Sequence, residues 1–231
     1  MDNLKSNIAE YIKGKKWYWY MPALLIVTYL FYCIVKISPS EPLPTVLVPI
    51  SAVDFGLHEM AHVITGAFPA VITAASGSLS EIFLGMVLVF TALRTRYYFT
   101  SLFCTVWFAF GCKSAGQYMA DARAQQLDLV SPFSDNAIHD WHFVFGKLHL
   151  LQQDTLIGGL VKFGGYLAMT MSLVFGAWLV YKFATENESK EEQKVITKTQ
   201  NPQNPQSSKN RPSIYPTATK GPLGEPPDLK K

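Results

Sequence analysis

The apolar residues of this chain fall into long blocks separated by short polar or proline-containing joints, rather than into the alternating or one-faced patterns of a soluble domain. The first block, residues 21–37, is long enough to cross a bilayer as a helix. Lys13, Lys15 and Lys16, followed by Trp17, Tyr18, Trp19 and Tyr20, form a basic and aromatic belt at its head. No small-residue cleavage site follows, so the block is expected to be an uncleaved anchor. The run Ser38-Pro39-Ser40-Glu41-Pro42-Leu43-Pro44 forbids continuous helix, and a second span is predicted over 45–67.

Downstream the pattern is less regular. Residues 69–80 contain Ser76-Gly77-Ser78, which is too polar for a lipid-facing helix centre. This stretch is read as an interhelical loop, with a re-entrant segment lining a site as the alternative. Residues 81–93 form a third apolar segment, short for a full crossing, and Arg94-Thr95-Arg96 with Tyr97 and Tyr98 marks an interface. A fourth span is predicted over 99–119. Its second half, from Gly111 to Tyr118, is small and polar, which suits close helix packing. Residues 120–154 are the one long stretch outside the apolar blocks before the tail, with a helix expected over 141–151. The last span covers 156–183, where Gly158, Gly159, Gly164 and Gly165 would let helices approach closely.

The expected fold is therefore all-α, a polytopic membrane helical bundle of four to five spans. Residues 1–16 form a basic amino-terminal segment, 17–183 the membrane-embedded domain, and 184–231 a disordered polar tail that lacks the apolar surface needed to fold. Orientation is in tension. The basic amino terminus argues for a cytoplasmic start, yet five crossings would place Arg94, Arg96 and the Lys-containing tail on the other side. A re-entrant third segment would bring both ends to one side.

Composition agrees with this class: 49% of residues are hydrophobic and 13% aromatic, and the charges gather at the ends and joints. The net charge of +3 owes much to the terminal segments, so it speaks of lipid headgroups rather than nucleic acid. Cys33, Cys104 and Cys112 lie in apolar stretches and are odd in number, which excludes a disulfide framework.

Against this background one motif carries chemistry. Two of the five histidines lie four residues apart in His58-Glu59-Met60-Ala61-His62. On a helix that spacing puts both imidazoles on one face, able to reach a single metal ion, with Glu59 beside a water bound there. Chance yields such a pattern in a chain of this length on the order of once in a hundred. Left unpaired in lipid, such a trio would cost several kcal/mol, so a purely structural reason for it is hard to find. The expected roles are His58 and His62 as ligands of Zn2+ and Glu59 as the general base toward zinc-activated water. Asp54, one turn earlier, would either orient a ligand histidine or pair with Lys113.

A third ligand is needed, and the 120–154 stretch offers Asp121, Asp128, Asp135, His139, Asp140, His142 and His149. His139 and Asp140 are preferred, because Ile138-His139-Asp140-Trp141 combines two good ligands with an interfacial Trp beside a predicted helix. Asp121 is the main rival.

A His-Glu-x-x-His on a membrane helix, followed by a Gly-containing stretch and a distal acidic residue near another helix, resembles the intramembrane zinc metalloproteases of the site-2 protease class. The resemblance covers the second span. It implies that His58 and His62 hold zinc and that Glu59 activates water for peptide-bond cleavage. The family's third ligand, an aspartate in a Leu-Asp-Gly motif, has no literal counterpart here. The segments 118–124 and His139-Asp140-Trp141 are also similar to those of small bacterial membrane proteins with the same signature, which implies a distant branch in a bacterial inner membrane. The expected partners are the lipid bilayer and a membrane-protein or peptide substrate. Two other readings stand beside the protease. One is a metal-binding membrane protein with a structural, sensing or transport role; the other is a zinc-dependent amidase or lipid hydrolase.

Overall fold

A computed structural model describes residues 2–38, 42–127 and 138–200, and among these the chain is helical with no β-strand. The helices are α1 (Asp2–Ile12), α2 (Met21–Lys36), α3 (Val48–Thr65), α4 (Ala70–Arg94), α5 (Thr100–Ala120), α6 (Asp140–Lys147) and α7 (Asp154–Gln200). Pro22 and Pro49 lie in the first turns of α2 and α3, where a missing N–H costs nothing, and Pro69 closes the link that precedes α4.

Among the described residues three helical stretches, Trp17–Lys36, Ala70–Arg94 and Leu151–Thr197, are long and apolar enough to cross a membrane. The polar residues of α3 and α5, expected as the second and fourth spans, keep those two helices out of that set. Much of the molecule's outer surface is nonetheless apolar. On α7, Leu156, Leu160, Phe163, Leu167, Met171 and Val174 form a stripe of exposed side chains at helical spacing, as a lipid-facing surface requires.

The buried helix is α5. Its Leu102, Val106, Ala109 and Phe110 pack with Val27, Cys33 and Ile34 of α2 and with Met169, Leu179 and Phe183 of α7. Nearer its end, Ala115 and Met119 join Trp141, Val144 and Phe145 of α6 in a second cluster. Small residues set these separations: a Cβ on Gly116 would stand 2.6 Å from the Gly158 carbonyl oxygen, and one on Gly165 2.6 Å from the Cys112 Cβ. Gly159 and Gly164, expected to serve the same purpose, face open space instead. The three cysteines are free.

Four contacts gather one end of the bundle. Arg96 Nη1 lies 3.6 Å from Glu10 Oε2, the Phe99 amide donates to Tyr11 Oη at 3.2 Å, and Asn187 Nδ2 donates to the Lys15 carbonyl at 2.9 Å. The rings of Tyr11 and Phe183 are 6.1 Å apart. Lys13, Lys15, Lys16, Arg94 and Arg96 thus share one end, so the charge conflict posed by five successive crossings does not arise from these residues.

Several expectations need correction. Residues 70–94 form one unbroken helix, so 70–80 is helical rather than a loop, and the third apolar segment is longer than 81–93. The polar residues there serve contacts between helices. Thr65 and Ser76 hydroxyls lie 2.8 Å apart, Thr73 Oγ1 donates to the Thr65 carbonyl at 2.8 Å, and Ser80 Oγ donates to the Leu57 carbonyl at 3.3 Å. The helix predicted over 141–151 is α6, ending at Lys147. Finally, α7 continues through 184–200, where a disordered tail was expected. Lack of apolar surface rules out a core, but Glu, Lys and Gln are good helix formers and extend an existing helix at little cost. The remainder of the expected tail, like Asp128 and Asp135, lies outside the described residues.

Candidate metal centre

On α3, the four-residue spacing aims both histidines toward α4 and α6. His58 Nδ1 lies 2.8 Å from Glu81 Oε1, and His62 Nδ1 lies 2.8 Å from the Thr73 carbonyl oxygen. A carbonyl can only accept, so the His62 proton sits on Nδ1 and a neutral ring presents the Nε2 lone pair. An ionised Glu81 imposes the same tautomer on His58. These are the orienting partners that metal-bound histidines need.

Both Nε2 atoms face one carboxylate. His58 Nε2 and His62 Nε2 each lie 3.4 Å from Asp140 Oδ2, and the donor atoms of His58, His62 and Asp140 all fall within 4.8 Å of one another. All three residues are part-buried. Two nitrogen lone pairs and a carboxylate oxygen turned toward a common point repel one another unless a cation or a proton lies between them. The donor set, two imidazoles and one carboxylate, therefore fits a divalent metal ion.

Asp140 reaches this point because α6 begins there and is held on both sides. Its backbone N–H donates to Tyr118 Oη at 3.0 Å, and Tyr118 Oη lies 3.4 Å from Asp140 Oδ2. One residue on, Trp141 Nε1 donates to Ser78 Oγ of α4 at 3.0 Å. Gly77 is part of the same cradle: a Cβ there would sit 2.5 Å from His58 Nε2, so α4 can back the imidazole only with a glycine.

His139 and Asp121 do not join this group. His139 caps α6, its Nδ1 accepting from the His142 amide at 3.2 Å, and its Nε2 lies 3.4 Å from Asp121 Oδ2, a loose contact. Burial holds the His139 imidazole below its usual range, against the opposing pull of Asp121. Asp121 in turn accepts from the amides of Gln126 and Leu127. His142 is occupied elsewhere, its Nδ1 lying 2.8 Å from both the Ala122 carbonyl oxygen and Gln125 Nε2. His139 and Asp140 are adjacent, but one is the cap and the other opens the helix, so their side chains diverge.

Neither expected role of Asp54 is met. It is 3% exposed and accepts from Trp107 Nε1 at 2.7 Å, pairing with neither a ligand histidine nor Lys113. The orienting carboxylate is Glu81, 5% exposed, which motif reading missed. A lone acid inside an apolar block was the available signal. Glu59 is part-buried beside the group, within electrostatic range of Tyr118, and is not one of the converging donors.

No family model, curated protein or solved structure matches this chain.

Proposed function

We propose that this chain is a membrane-embedded zinc-dependent hydrolase that cleaves peptide bonds, related to the site-2 protease class and resident in a bacterial inner membrane. The observation that carries the reading is the convergence of His58 Nε2, His62 Nε2 and Asp140 Oδ2, with both Nδ1 positions held by acceptors. Ligands about 2.0–2.1 Å from a tetrahedral centre are separated by about 3.3–3.4 Å. Both nitrogen–oxygen separations, 3.4 Å, suit that spacing, and all three donor atoms lie within 4.8 Å of one another.

Zinc, when bound, supplies Lewis acidity that makes water a nucleophile near neutral pH and polarises the scissile carbonyl. In this reading His58, His62 and Asp140 hold the ion, while Glu81 and the Thr73 carbonyl keep the two rings in the tautomer that can bind it. Glu59 follows His58 in sequence and sits beside the group without belonging to it, the arrangement a general base needs. It takes a proton from the attacking water and passes it to the leaving amine. The substrate is a membrane protein or peptide that reaches the site through the bundle.

The test is Glu59→Gln, which removes the proton acceptor and keeps the shape. Purified variant should bind zinc like the wild type and lose cleavage of a reconstituted membrane peptide by at least a hundredfold, the lower range for loss of general-base assistance being about that size. Cleavage retained by the variant would remove Glu59 from the mechanism.

A second reading, metal binding for structure, sensing or transport without hydrolysis, rests on the same three donors, which can hold an ion whether or not Glu59 acts as a base. Under it, zinc binds with one-to-one stoichiometry and is lost in His58→Ala, while no peptide or acyl-amide lipid is turned over. Turnover of acyl-amide lipids alone would instead identify an amidase.

A further inference from the structure

Two part-buried lysines lie along the α5–α7 contact, and among the described residues no acid pairs with either. Lys113 lies in the second half of α5, and Lys162 lies eight residues into α7. The Lys162 side chain crosses α5 at Gly116, where a Cβ would stand 2.7 Å from Lys162 Cγ. Gly116 is one helical turn beyond Lys113, and the two ammonium groups lie within electrostatic range of each other. Both residues are part-buried. Among the described residues neither makes a hydrogen bond or an ion pair, and three buried acids of the bundle are committed elsewhere: Asp54 to Trp107, Glu81 to His58 and Asp154 to Arg123.

Two like charges at an apolar helix seam are costly unless an anion joins them. The surroundings specify its character. Leu156, Leu160 and Phe163, on the outward face of α7 roughly a third of a turn or more round the helix from Lys162, are each more than half exposed, and Gly159 leaves open space beside them. Charge at the seam with apolar side chains outside it fits a molecule having an anionic head and hydrocarbon tails. A soluble anion would use the lysines and leave the apolar border bare.

We propose that Lys113 and Lys162 form a binding site for the phosphate of an anionic phospholipid, seated in the α5–α7 seam with its acyl chains over Leu160 and Phe163. This goes beyond the hydrolase reading and does not depend on a metal. A pair of lysines is enough for selectivity over a zwitterionic lipid, because each basic residue near an anionic headgroup adds about fivefold in affinity.

The experiment places the intact protein in nanodiscs of phosphatidylcholine containing a minor fraction of phosphatidylglycerol, and native mass spectrometry counts the lipid that stays bound. Wild type should retain phosphatidylglycerol over phosphatidylcholine by roughly twentyfold, from two such lysines. Lys113→Gln with Lys162→Gln should abolish the preference, and the Lys113→Arg with Lys162→Arg pair, which keeps the charges and guards against misfolding, should preserve it. Lys182→Gln, at the far part of α7, should change nothing. An excess of inorganic phosphate should displace little phosphatidylglycerol; full displacement would mean a site for free phosphate and overturn the lipid assignment. Equal retention of phosphatidylglycerol by wild type and the double Gln variant would overturn the site itself.

Discussion

His58 and Glu81 face each other across the α3–α4 seam, with Nδ1 and Oε1 2.8 Å apart, although 23 residues separate them in the chain. The contact fixes which nitrogen of His58 remains free, and so decides whether α3 presents a metal ligand or merely a buried histidine. Glu81→Ala should lower zinc affinity by about 10–100-fold, the usual consequence of losing an orienting partner. Glu81→Gln keeps an acceptor and should lose less. Competition with a chromophoric chelator measures both, and an affinity unchanged in Glu81→Ala would show that the ring needs no such support.

Gly77 predicts a steric effect at the same ring. Its Cα faces His58 so closely that an alanine methyl would come to 2.5 Å from Nε2. Gly77→Ala should therefore turn the imidazole or push α4 away, and zinc binding should fall even though alanine is the better helix former. Gly159→Ala, with nothing within 4 Å, is the control and should leave zinc binding as it is. Equal binding by the two variants would contradict the packing described.

Two adjacent residues should separate cleanly. Asp140→Ala removes a converging donor and should cost most of the metal affinity, whereas His139→Ala removes the cap of α6 and should cost about 1 kcal/mol of stability with zinc retained. Zinc titration and thermal melting on both variants check this. Loss of zinc in His139→Ala comparable to that in Asp140→Ala would return His139 to the ligand set.

The start of α7 depends on an ion pair. Asp154 is 1% exposed and accepts from the Arg123 side chain, with Nη2 at 2.9 Å, and from the amides of Arg123 and Thr155. Arg123→Ala should lower stability by about 1–2 kcal/mol, a modest figure because the guanidinium is partly exposed and screened. Melting in detergent reads it directly, and an unaltered midpoint would mean that the two amides suffice for the carboxylate.

The apolar blocks were legible in the sequence because burial in lipid demands long runs, which single-chain patterning reports directly. The first and last blocks correspond to α2 and the first part of α7. Reading failed where polarity was taken for irregular backbone. Ser76, Gly77 and Ser78 are helical, and their small polar side chains meet α3 and α6. It failed again after 183, where good helix formers continue α7 without a core.

By itself the sequence determined that His58 and His62 share a face, since spacing along one helix is a local geometric fact. The choice of Asp140 as the residue that meets them, the turning of His139 toward Asp121, and the recruitment of Glu81 came only from tertiary structure. Those meetings depend on how α4 and α6 slide and rotate against α3, across separations of 23 and 82 residues, and helix periodicity carries no information about that register.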